Sequence, residues 1–282
     1  APFVFSFQQV GTNCGLIGKN AAVEVDGSAY WMSENGFFRY TGRLESLACL
    51  VEDYVYDDIN TVPRQHIYAG LNNLFGEVTW FYPGSGAASN NRSVTYNYMD
   101  STPERPVWTT STLARSTWAD SSIFGKPHGT EYDSDATSDS TVGNTDGVTT
   151  YYEHETGVNQ IKAGSSSAIA ASIESGDFDI SAVQGGGADL RGDGEYIMKI
   201  RRVLPDFLQQ TGDARVTLNL KNYPTDSQAS SSLGPFTSST TTDKIDTRAR
   251  ARAISLKVDN TSTGQHWKLG TFRLDIQPDG RR

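Results

Sequence analysis

The sequence is poor in the residues that most often build reactive centres: its 282 positions hold two cysteines, four histidines and three methionines. Cys14 and Cys49 have no C-x-x-C spacing, which excludes the common zinc and redox motifs; they could pair, but two buried thiols are the preferred reading. His66, His128, His154 and His266 are isolated, with no H-x-H or H-E-x-x-H. Glu153-His154-Glu155 offers one ligand at most, since alternate residues of a strand face opposite ways. Asp133, Asp135 and Asp139 resemble part of a calcium loop but lack its glycine and terminal glutamate. No metal and no cofactor is therefore expected. There is no G-x-S-x-G elbow, and no turn carries a sialidase-type Asp-box. No apolar run approaches the ~18 residues of a helical membrane span, so no membrane insertion is expected. Residues 1–7 lack the basic region and cleavage pattern of a secretory signal. They read as strand interior without an initiator methionine, which suggests that an N-terminal part of a longer chain is missing.

Aromatic residues, in contrast, are plentiful. Five Trp, 12 Phe and 13 Tyr bury too much apolar surface for a disordered chain and suffice for one large all-β unit or two domains. The net charge is −9 and uneven. Residues 1–158 carry 8 basic and 19 acidic residues, a net of −11, and residues 159–282 carry 16 and 14, a net of +2. An acidic front half does not hold nucleic acid, whose phosphates need neutralising. It suits a solvated face, or a surface that DNA passes without sticking.

The front half reads as short strands cut by tight turns. Asp26-Gly27, Asn35-Gly36 and Thr41-Gly42 punctuate a three-stranded meander, because glycine and asparagine accept positive φ at little cost. A second unit spans residues 66–72, 77–82, 93–98 and 107–110. A third spans 113–120, 123–125 and 151–154. Such repetition suggests propeller-like blades, with a β-sandwich as the alternative. Residues 50–60 have helical spacing at Val51, Tyr54, Val55 and Ile59. Residues 133–149 and 227–243 read as exposed polar loops, and 163–167 as a linker. In residues 215–221 and 271–277, apolar and polar positions alternate as in half-buried strands. The fold expected is all-β: partial β-propeller-like meanders over residues 1–160, then an antiparallel β-sandwich- or barrel-like domain over 161–282.

Candidate chemistry is sparse. Asp53, Asp57 and Asp58 share one short helix, and with Glu77 they are the carboxylates that a propeller hydrolase would need in a pocket. Their bland reading is a solvated helix face. Trp31, Trp80, Trp108 and Trp118 would serve a glycan-binding module if exposed. The most unusual segment is Arg248-Ala249-Arg250-Ala251-Arg252, followed by Ile254, Leu256 and Val258. At period two, the three arginines share a face with that apolar row, which a core strand cannot continue without a bulge or an exit from the core. With Arg201 and Arg202 of Lys199-Ile200-Arg201-Arg202, they are the candidate subunit interface. Three arginines without aromatic stacking platforms make poor nucleic-acid recognition.

Several runs then carry a resemblance: residues 11–18 (GTNCGLIG), 29–42 (AYWMSENGFFRYTG), 53–60 (DYVYDDIN), 77–83 (EVTWFYP), 113–115 (LAR) and the final 269–282 (LGTFRLDIQPDGRR). They resemble tail nozzle (tail tubular B-like) proteins of short-tailed bacteriophages and, next, their packaged-DNA stabilisation or hub proteins. The motifs are structural rather than catalytic. The resemblance implies a non-enzymatic virion subunit, assembled in the bacterial cytoplasm, six copies of which form a ring below the portal and adaptor. Its other partners would be tail fibre or needle proteins, and viral DNA would pass through non-specifically. The alternative is a glycan-binding or glycan-hydrolysing propeller-type tail protein.

Overall fold

The computed structural model describes residues 8–133, 148–162, 164–180, 196–223 and 231–281. They divide into two compact units, Ala1–Thr156 and Gly157–Arg282. The apolar first seven residues and most of the acidic loop, with Asp135 and Asp139, lie outside the described residues.

Unit 1 is a series of antiparallel meanders. β1 (Ala22–Val25), β2 (Ser28–Ser33), β3 (Gly36–Tyr40) and β4 (Leu44–Leu47) pair in chain order, one strand more than the turn residues announce. Asp26 and Gly27 both take positive φ, 49° and 76°, the geometry whose twist suits a two-residue hairpin. Helix α1 (Glu52–Asp58) follows and buries Val55. β5 (Tyr68–Asn72), β6 (Glu77–Tyr82), β7 (Arg92–Asn97) and β8 (Trp108–Ser111) form the second meander. The third contains β9 (Thr117–Ala119), α2 (Ser121–Phe124), β10 (His128–Asp133) and β11 (Val148–Glu153), in the order β11-β10-β9. Its central strand β10 is one that the sequence pattern does not announce, and residues 123–125 close a helical turn instead of extending a strand.

Strand β6 of the second sheet packs on both faces. Trp80 and Phe81 are consecutive on β6 and so point oppositely, yet neither is exposed to solvent. Trp80 packs against Phe37 of the first meander, with ring centroids 4.9 Å apart, and Phe81 against Trp118 of the third, at 5.5 Å. Gly70 on β5 makes that second contact possible, because a Cβ there would lie 2.6 Å from Trp118 Cγ. The first strands of the meanders also adjoin: β1 touches β5 and β5 touches β9, and the Ala69 amide donates to the Asn20 carbonyl at 2.8 Å. Stacked, blade-like meanders with neighbouring first strands follow from burying apolar side chains on both faces of short sheets.

Unit 2 opens with a hairpin, β12 (Asn159–Lys162) and β13 (Ser165–Ala168), where the sequence reads as a linker. β14 (Ala171–Glu174), β15 (Tyr196–Leu204), β16 (Phe207–Thr211), β17 (Ala214–Lys221) and β18 (Ser231–Ser238) follow. β19 (Ile245–Ala251), β20 (Ala253–Asn260), β21 (His266–Leu269) and β22 (Arg273–Arg281) complete it. β18 occupies the middle of the stretch that reads as a serine- and threonine-rich loop. Two sheets, β14-β20-β17-β18 and β19-β15-β22, enclose one core in an antiparallel sandwich, with β16 and β21 as a separate pair. Met198, Ile200 and Val203 come from one sheet, and Val216, Leu218 and Ile254 from the other. β17 alternates buried and half-buried residues without a break, as its sequence dictates.

Candidate functional site

The arginine-rich strand changes sheets, and that decides where its charges go. On β19 the odd positions Ile245, Ala249 and Ala251 are buried, and Arg248 and Arg250 are exposed. The chain bends at Arg252 and continues as β20 in the other sheet, where the even positions Ile254 and Val258 are buried. The three arginines therefore do not share a face with the apolar row, because the buried parity reverses at the bend. Alanines, small enough to pack in, take the core side of β19. Arg252 is half-buried at the junction, its amide donating to the Lys221 carbonyl at 3.1 Å, and it does not extend the outward row.

Strand β15 adds the second half of that surface. Met198 and Ile200 are buried before its irregularity and Val203 after it, so Arg201 and Arg202 both fall on the outward side. Arg202 stands opposite Asp246 on β19 and Asp275 on β22. The sheet brings four of the five candidate arginines together with Lys199, which is paired with Arg250 across β15 and β19. Two are neutralised within the sheet. Arg202 Nε lies 3.3 Å from Asp246 Oδ1, and Arg250 Nε lies 2.6 Å from Asp279 Oδ2. Lys199, Arg201 and Arg248 have no such partner among the described residues. The site is thus an electropositive sheet face, able to dock an acidic surface.

Among the described residues, the candidates for the rival chemistries do not converge on one site. Asp53 and Asp57 project from α1 into solvent, and Asp58 is held by Arg92 at 3.1 Å and by the Ser85 amide at 3.3 Å. Glu77 lies on another element, β6, where burial, then Glu155 and Asp100, push its carboxyl above the usual range. A cleft of about 440 Å³ in unit 1, lined by residues including Lys19, Gln65, His66, Asn90 and Tyr132, has no carboxylate in its wall. A glycosidase needs two there. The tryptophans are tied into the fold. Trp80 is fully buried and the other three are half-buried. Each indole N–H donates to a backbone carbonyl: Trp31 to Cys14 at 2.7 Å, Trp80 to Ala21 at 3.0 Å, Trp108 to Ala48 at 2.8 Å and Trp118 to Leu71 at 2.7 Å. Cys14 and Cys49 are free thiols as expected, but half-buried rather than buried, and burial raises Cys49 to about 11. No group of three or more potential metal ligands converges among the described residues. No protein-family model matches the chain, and no curated protein is significantly similar to it.

One buried polar network has no signature in the sequence. The Arg115 side chain donates from Nε to His154 Nε2 at 2.9 Å, lies 4.0 Å over the Tyr152 ring and is 3.8 Å from Glu131 Oε2. Burial first, and then the Arg115 charge, lower His154 to about 4. The folded state therefore binds this proton less readily than the unfolded chain. Its contribution to stability is complete above pH ~6.5 and is lost as pH falls towards 4. Acidification over that window is expected to weaken unit 1 by about 2 kcal/mol, allowing for the partial solvation of the ring. His154→Gln, whose amide oxygen can still accept from Arg115, should flatten this dependence. Identical slopes of unfolding free energy against pH for wild type and variant would refute it.

Proposed function

We propose that the chain is a non-enzymatic structural subunit of a bacteriophage tail nozzle or hub, a ring-forming homo-oligomer of six copies that closes the DNA-filled head and conducts DNA during ejection. The observation that carries this reading is the outward cationic face of the β19-β15-β22 sheet, in a chain whose other unit has a net charge of −11. Surfaces of opposite sign on different parts of one chain suit a head-to-tail ring, and an acidic lumen lets DNA slide. In this reading Arg201 and Arg248 contribute most to assembly, Arg202 and Arg250 support it, and Arg252 belongs to the fold. The portal and adaptor, and fibre or needle proteins, are the partners above and below the ring.

The experiment is direct imaging of the purified full chain, with its mass measured in solution. A six-fold ring with an axial channel is expected. Arg250→Glu should weaken that assembly while leaving the melting temperature within a few degrees. A chain that stays monomeric at every concentration would overturn the reading. So would glycan cleavage abolished by Asp57→Asn, because that places chemistry on a helix face that a structural subunit leaves to solvent or to its neighbour.

A further inference from the structure

The basic sheet face needs an acidic counterpart of matching spacing, and the α1 segment supplies one. Asp53, Tyr54 and Asp57 sit at i, i+1 and i+4, with Leu50 three residues before Asp53 in the turn leading into the helix. Val55 anchors the helix to the core and is fully buried. Leu50 is 76% exposed and Tyr54 57% exposed, unusually bare for such large side chains. Asp53 and Asp57 are exposed, with no ion-pair or hydrogen-bond partner among the described residues, whereas Asp58 is taken by Arg92. The stripe thus offers two carboxylates unpaired among the described residues, with an exposed tyrosine and an exposed leucine beside them.

The spacings agree. Carboxylates at i and i+4 of a helix stand about 6 Å apart. Arg248 and Arg250, two residues apart on one face of β19, stand about 6.7 Å apart; Arg250 already pairs with Asp279, so Arg248 and the neighbouring Arg201 are the cations left to meet the acids. Lys199, opposite Arg250, widens the cationic row across the neighbouring strand. The exposed Tyr54 ring on the same side of the helix is a further partner open to a guanidinium through a cation–π contact. We propose that the α1 stripe of one copy docks on the β19-β15 face of the next. This rests on the ring-forming reading above and names the surface that the arginines meet. The two patches are different parts of the chain, so the contact is heterologous, and its repetition generates a closed ring or an open filament. Docking would cover Leu50 and Tyr54 and pair Arg248 with an acid.

Charge exchange on the full chain tests it. Asp53→Arg with Asp57→Arg, and separately Arg201→Asp with Arg248→Asp, should each raise the concentration needed for half-assembly by about tenfold or more. High salt should weaken the wild-type assembly in the same direction. All four positions are exposed, so melting temperatures should stay close to wild type, which separates assembly from folding. Combining the two sets restores opposite charges and should recover assembly to within about threefold of wild type. Either set assembling like wild type, or a combination no better than its parents, overturns the proposal and leaves the ring reading standing. A monomeric wild type overturns both.

Discussion

Replacing Arg115 with alanine is expected to destabilise unit 1 by roughly 3 kcal/mol, the cost of breaking an ion pair whose cation is buried and losing that side chain's packing. Arg115 is 4% exposed, and its charge is held only by its surroundings. Desolvation lowers its pKa, and Glu131 and Tyr152 oppose that shift. The Glu131 carboxylate also accepts from the Tyr152 hydroxyl at 2.7 Å, so carboxylate, ring and guanidinium form one stack across β10 and β11. Gly129 belongs to the same arrangement, since a Cβ there would lie 2.9 Å from Arg115 Cδ. Alanine takes the guanidinium away from the half-buried Glu131 and opens a cavity beside the buried Tyr152 ring. Pairing Arg115→Met with Glu131→Gln removes both charges and keeps most of the volume, so it should recover a large share of the loss. Denaturant unfolding followed by tryptophan fluorescence reports mainly on unit 1, which holds four of the five tryptophans. A loss below about 1 kcal/mol would mean that the network is solvated and incidental.

That network is illegible in the sequence for a physical reason. Arg115, Glu131, Tyr152 and His154 belong to separate strands or connections, and nothing local marks any of them as buried. Local signals do carry much of the fold. Asp26-Gly27 marks its hairpin because both residues tolerate positive φ, and β17 shows its buried face because period two survives its full length. α1 announces itself through Val51, Val55 and Ile59. Pattern fails where polarity hides pairing. Ser165–Ala168 and Ser231–Ser238 are strands whose mostly exposed residues carry little apolar signal, but whose backbones complete a hairpin and a sheet edge. The arginine segment misleads differently. Period two extended through residue 252 assumes one continuous strand, although the residues themselves signal that a bulge or exit is needed. The exit is the crossing from one sheet to the other, and it puts the alanines inside and leaves Arg248 and Arg250 outside. Four members of the candidate interface are thus identifiable from sequence, and their partnering is not, because ion pairs depend on which acids the neighbouring strands present.

Trp80→Ala should cost about 3–5 kcal/mol, the other large effect expected of a single substitution. The indole is completely buried on β6, donates to the Ala21 carbonyl and packs on Phe37 and Trp108, with ring centroids 4.9 and 6.1 Å away. It therefore joins the first two meanders by both its area and its hydrogen bond, and alanine would remove both. Trp80→Phe keeps the aromatic contact and forfeits the N–H donor, so a smaller loss of about 1–2 kcal/mol is expected. The contrast bears on function as well as folding. A tryptophan that serves as a sugar platform can be truncated with loss of binding and little change in stability. Trp80 should show the reverse, with its alanine variant melting early or failing to fold. Trp31→Ala, at a half-buried indole bonded to the Cys14 carbonyl, should fall between Trp80→Phe and Trp80→Ala. Should both alanine variants keep wild-type stability and lose affinity for a saccharide, the aromatic residues would be a binding surface, and the case for a purely structural subunit would give way to the glycan-binding alternative.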